Sequence, residues 1–226
     1  MTSKLTYRVM RDRSLILIAL IPCLTGSLIS CMREPSFDSV YTVITPNNLQ
    51  PTASIPAPTD DPILTVTGSF NAQQAEKSLS ETGVSQNNLN ETTNNENASK
   101  RSQSISMDRA LIEAVGTVEY TVEDPFEKEG TTFQGVLFRD LLTLWQVPET
   151  AQHLTITALN DYQVQVPISL FQDYPILLAL KQNGQVMTRD YRGPAMLVTP
   201  IDQYPNVQEL ANREYWIWQV KTIHIE

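Results

Sequence analysis

Cysteine is nearly absent: the 226 residues hold only Cys23 and Cys31. No disulfide framework can therefore staple residues 32–226, and no thiolate there can bind a metal or attack a substrate. Histidine is as scarce. His153 and His224 flank alternating apolar segments and stand in no cluster with acids at ligand spacing, which argues against zinc. The eight glycines form neither a Gly-x-Ser-x-Gly elbow nor a phosphate-cradling loop. Bases are outnumbered by acids, 16 to 25. Such a surface repels nucleic acid and anionic headgroups. These absences leave no residue set that reads as a catalytic or metal centre.

The two cysteines have a recognisable setting. Lys4, Arg8, Arg11 and Arg13 open the chain with one acid, Asp12, and an apolar run over 15–24 follows, broken by Pro22. That run is short of the roughly 20 apolar residues of a spanning helix. A basic start followed by a short apolar stretch marks a secretory signal. Leu28-Ile29-Ser30-Cys31 then resembles a bacterial lipobox: an aliphatic residue, a tolerant position, a small residue beside the scissile bond, and a thiol to receive diacylglycerol. Residues 1–30 are expected to be a lipoprotein signal peptide, with Cys31 lipidated and becoming the mature N-terminus. The alternative is an uncleaved anchor. Cleavage removes four bases and one acid, leaving 12 against 24 and a net charge of −12. Membrane attachment then depends on acyl chains such as palmitate. The domain is expected to face the periplasm or the outside.

Two low-complexity tracts interrupt the rest. Residues 31–62, with five prolines from Pro46 to Pro62, read as a Pro/Ser/Thr-rich tether. Residues 71–104 are rich in Asn, Gln, Ser, Thr and Glu. They cannot bury enough apolar surface to offset their ordering entropy, and read as a disordered insertion. Between the tracts, Ile63-Leu64-Thr65-Val66-Thr67-Gly68 alternates and is β-branched, which marks a strand. So apolar a strand needs a partner, so it is expected to open a folded domain over 63–226 rather than to be a sticky patch in one long linker.

Short periodic segments follow from Ile105. Ser106 is expected to cap a helix with Met107, Ala110, Leu111, Ala114 and Val115 on one face and Gly116 at its close. Val118, Tyr120 and Val122 alternate as a strand. The acidic loop over 123–130 lacks the alternating carboxylates of calcium loops and reads as a solvated hairpin tip. A strand is expected near Thr132-Phe133, a helix over 137–145, and a hairpin over 154–166 that turns at Asn160-Asp161. A buried strand over 176–180 leads to the Asn183-Gly184 turn, and another strand covers 196–199. The last apolar segment, 216–225, changes phase once, as at a bulge. Short strands with two or three helices make an α+β domain.

Several phrases in this order resemble the oxidoreductase molybdopterin-binding domain, the fold of sulfite oxidase and of the catalytic subunits of periplasmic methionine-sulfoxide reductases. They are Phe133-Gln134-Gly135-Val136-Leu137-Phe138-Arg139-Asp140-Leu141-Leu142, Ala158-Leu159-Asn160-Asp161-Tyr162, Leu177-Leu178-Ala179-Leu180 with Asn183-Gly184, Arg192-Gly193-Pro194 leading to Leu197-Val198-Thr199-Pro200, and the closing Trp216-Ile217-Trp218-Gln219-Val220-Lys221-Thr222-Ile223. The resemblance covers 63–70 and 105–226 and implies a mixed β domain with short helices. Enzymes of that family hold molybdenum through one cysteine, placed just before the Gly-Val-x-Leu phrase. Here Val118 to Gln134 contain none. A metal that cycles between oxidation states wants a soft thiolate there. Ala195-Met196 stand where the family has an arginine after the Gly-x-Pro turn, and no phosphate loop lies between Ile201 and Arg213. The resemblance therefore points to a small stand-alone branch that keeps the scaffold without the metal ligand.

The same resemblance places Asn160, Asp161, Tyr162, Arg189 and Arg192 along the pterin cleft. Two arginines in an acidic protein can hold an anion, or can pair with nearby acids. Trp145, Trp216 and Trp218 lie in apolar periodic segments and read as core. The expected function is a lipid-anchored module that binds a small ligand or a protein partner, without cofactor and without nucleic acid. The alternatives are a molybdopterin-dependent oxidoreductase and a structural envelope lipoprotein.

Overall fold

Leu177-Leu178-Ala179-Leu180 has no polar break because its strand, β8 (Leu177–Gln182), is covered on both faces. The computed structural model describes residues 36–51, 54–75, 104–207 and 209–226. In one sheet β8 lies between β5 (Gly130–Leu137) and β10 (Met196–Val198). The sheet continues from β5 through β4 (Thr117–Glu123) to an edge strand, β1 (Thr42–Thr45), and a short β9 (Gln185–Val186) adds to β8. All these pairs are antiparallel. The second sheet has the order β3 (Ser104–Met107), β2 (Leu64–Gly68), β11 (Val220–Ile225), β6 (His153–Ala158), β7 (Gln163–Pro167), with only β2–β11 parallel.

Alternation sorts the side chains into two cores. Leu178 and Leu180 join Val136, Leu197, Val66, Ile105, Leu154, Ile156 and Ile223. Helices α2 (Phe138–Leu144) and α3 (Ile168–Asp173) add Phe138, Leu141 and Phe171 to the same cluster, where Phe138 and Phe171 stack at 4.2 Å. Leu177 and Ala179 point the other way, into Val118, Tyr120, Phe133, Met196, Val198 and Trp216. Each fully buried large apolar side chain stabilises the fold by roughly 1.5–3 kcal/mol. Gly135 makes the β5–β8 approach possible, since a Cβ there would lie 2.1 Å from the Leu178 carbonyl oxygen. The ladder shifts register at this point.

The α+β class and most of the expected elements are present. The strand over 63–68 forms as β2, the hairpin turns at Asp161 with φ +63°, and the phase change in the last segment is a register shift between Val220 and Thr222. Three expectations need correction. First, the helix does not start at Ser106. Ser104–Met107 is a strand on β2, and Asp108 caps α1 (Arg109–Glu113) by accepting from Leu111 N at 2.8 Å. A long-range ladder outcompetes the local cap.

Second, residues 36–62 are not a free tether. A 3₁₀ turn at Phe37–Ser39 leads into β1, Ile55 is buried, and its N–H donates to Gln73 O. The prolines permit this because the segment is fastened by side chains: Asp108 Oδ2 accepts from Thr59 N at 2.7 Å and Asp60 N at 3.0 Å. Third, the expected insertion over 71–104 is folded at both ends. Ala72 is buried, Gln74 Oε1 accepts from Ser106 N, and Ser104 begins β3. The rest of that insertion, residues 76–103, lies outside the described residues, as do the signal peptide and Cys31.

Candidate functional site

The loop between β4 and β5 carries Asp124, Phe126 and Glu127; the segment after β9 carries Arg189, Tyr191 and Arg192; Trp218 and Gln219 precede β11. These three segments converge. Arg192 is the second largest fully buried side chain among the described residues. Its guanidinium donates from Nη1 to Asp124 Oδ2 and from Nη2 to Glu127 Oε1, the latter at 3.0 Å. It also lies over Trp218 (4.5 Å to the ring centroid) and beside Tyr191 (5.1 Å). Tyr191 donates its hydroxyl to Glu127, and Phe126 packs edge-on to Trp218 at 5.2 Å. The result is an ion pair under an aromatic cover, with Phe126 and Tyr191 exposed.

Electrostatics follow from this packing. Burial pushes the Asp124 carboxyl up, but hydrogen bonds from Arg192 and from the N–H groups of Phe126 and Glu127, with the arginine's charge, hold it below the ordinary carboxylate value. The hydrogen bond to Glu127 raises the Tyr191 hydroxyl above its ordinary value, with burial adding to it. Two acids face one buried base, so Arg192 has no charge to spare. Arg192 Nε and Trp218 Nε1 are buried N–H donors without a hydrogen-bond partner in the described structure. Each such group costs about 1–3 kcal/mol until an acceptor reaches it.

The structure brings the candidate cleft residues together in part. Gln219, held at φ +56°, links the two segments. Its N–H donates to Arg192 O (2.8 Å), its Nε2 donates to Arg189 O (2.6 Å), and its carbonyl accepts from Leu159 N (2.9 Å). Asn160 and Asp161 form the turn beside it, with Asn160 Oδ1 accepting from Tyr162 N. Tyr162 is exposed, and Asp161 pairs at the surface with Lys221 at 3.4 Å. Arg189 is exposed, and only its carbonyl is engaged.

Arg192 must be removed from the set of anion-binding groups, because both of its terminal nitrogens are taken by carboxylates. The acidic loop is a solvated hairpin tip between β4 and β5 as expected, with one exception: Asp124 is fully buried. Sequence reading missed Asp124, Glu127 and Gln219. The available signal was Arg192 itself, which runs into the apolar Pro194-Ala195-Met196 and so needed an acid to be buried. Trp145 and Trp216 are core as expected, while Trp218 is the partly buried roof of the ion pair. His224 is a surface residue bonded to Thr67. Among the described residues, no three of His, Cys, Asp and Glu gather in a metal-binding group.

Comparison with known proteins gives one family match. Residues 89–203, just over half of the chain, match the model of the oxidoreductase molybdopterin binding domain. Among solved structures, the sulfane dehydrogenase SoxCD from Paracoccus pantotrophus is similar at 16% identity with a TM-score of 0.43. That match covers 54% of this chain and 35% of the SoxCD chain. No curated protein matches.

Proposed function

Because this chain belongs to the oxidoreductase molybdopterin-binding domain family, we propose that it keeps the family scaffold as a lipid-anchored, extracytoplasmic binding module that carries no molybdenum. The observation that supports this best is the Arg192–Asp124–Glu127 cluster. A pterin pyrophosphate needs free positive charge; the buried Arg192 offers none, since two acids match it, and of the two expected arginines only the exposed Arg189 remains. The donor set is wrong for the metal as well. No cysteine occurs between residues 32 and 226, and oxygen ligands do not replace a thiolate for a redox-cycling soft site. The residues present therefore do not fit the family's cofactor.

A binding role is favoured over a purely structural one by the two unpartnered buried donors and the exposed Phe126 and Tyr191 above them. The ligand would be a small neutral acceptor or a protein partner that stacks on the rings.

Elemental analysis of protein purified from molybdate-supplemented cells is expected to find no molybdenum. A stoichiometric amount would make the oxidoreductase reading the better one.

The anchor has its own test. Cys31→Ser removes the acceptor of the acyl chains, and the protein is expected to move from the membrane to the soluble fraction. Retention on membranes after a salt wash would count against the lipobox reading and favour the uncleaved apolar anchor.

A further inference from the structure

We propose that the β1 edge of this domain lies against the lipid surface, with Val43 and Ile44 as the contact. The inference rests on the lipid-anchor reading of Cys31. It starts from chain length. Four residues lie between Cys31 and Ser36, where the described residues begin, and the five steps reach at most about 18 Å. Folding of 36–62 onto the domain removes the long tether and leaves only this short leash. A domain so held stays close to the bilayer, and β1 begins only six residues after Ser36.

That side has the right chemistry. Val43 is 61% exposed and Ile44 42%; Val43 is the most exposed large apolar residue among the described residues. Both stand on β1, all four of whose residues are exposed at the sheet edge. An exposed apolar edge strand is a liability in water, and edges are ordinarily protected by charge, proline or a covering element. Here no charge occurs from Ser39 to Thr59, and the edge is blunted only by the shortness of β1, its register shift between Val43 and Thr45, and Pro46. In a mature protein of net charge −12 this is a stretch that anionic headgroups would repel little. The nearest charges do not spoil it: Asp38 is paired by Arg139 at 3.9 Å, and Glu119 is half-buried opposite Thr42. Two β-branched side chains at the interface add to the acyl anchor and orient the domain.

The test uses the lipidated full-length protein. Its only other mature cysteine is blocked by lipid, so Val43→Cys offers a single thiol for an environment-sensitive fluorophore. Val186→Cys is the control: Val186 is exposed on β9, about 19 Å away across four strand spacings. In phosphatidylcholine vesicles the label at 43 should shift to the blue, gain about twofold in intensity, and be quenched by nitroxide-labelled lipid. The label at 186 should do none of these. The shift should persist at high salt, since no ion pair carries it. Flotation with the vesicles but a water-like label at 43 would overturn the docking and leave the anchor intact. Failure to float would overturn both. A concentration-dependent shift without vesicles would assign the β1 edge to a second copy of the chain instead.

Discussion

Asp124→Ala is expected to lose about 3–5 kcal/mol of unfolding free energy, measured by urea denaturation, because it leaves the fully buried Arg192 without its closest counter-charge. Glu127 alone cannot compensate; it is partly exposed and shared with Tyr191. The double variant Asp124→Ala/Arg192→Met should recover most of the loss, since a well-packed apolar pair avoids the desolvation of two charges. A cost below about 1 kcal/mol for the single change would mean the charge is not buried as described.

The same pair gives the protein a pH dependence with a definite sign. The Asp124 carboxyl is held below its ordinary value, as is that of Asp108; burial opposes this in both, and the hydrogen bonds they accept prevail. A carboxyl whose folded value is depressed binds its proton more readily in the unfolded chain. Its contribution is fully present above the unfolded value of about 3.9 and is lost as pH falls through the lower folded value. Stability should therefore decline below about pH 4, and decline less steeply in the double variant.

Asp108→Ala should cost about 3 kcal/mol, combining a lost helix cap with backbone donors left without an acceptor. Asp108 is buried, and one oxygen holds Leu111 N in α1 while the other holds Thr59 N, Thr59 Oγ1 and Asp60 N. Its removal frees the proline-rich strap from the domain as well as uncapping the helix. Limited proteolysis should then cut within 54–62, where the wild-type protein resists. An unchanged cleavage pattern would show that Ile55 and its bridge to Gln74 hold the strap without the aspartate.

These two aspartates mark the limit of what was legible in the sequence. The apolar periodicity of 153–166, the Asn183-Gly184 turn and the unbroken run in β8 each declared their structure, because alternation and turn chemistry are local consequences of which side a residue buries. The family phrases lie in those same segments. The strap over 36–62 was misread because its composition is that of a linker, and composition does not register a single buried isoleucine or a carboxylate 49 residues away that ties down Thr59.

The candidate site divides in the same way. The segments at 160–162 and 189–192 were expected to border a cleft, and the structure joins them through Gln219. Their chemistry was not found. Whether an arginine is free to meet an anion depends on what stands opposite it, and the acid opposite Arg192 is 68 residues away in the chain. The sequence by itself determined the absence of a thiolate from the domain, the charge, and the alternating strands, since these belong to residue types and their near neighbours. Only the tertiary structure decided that Asp124 neutralises Arg192 and that the β1 edge is left bare. Charge pairing and edge exposure depend on distances between segments, and a single sequence carries no direct record of those.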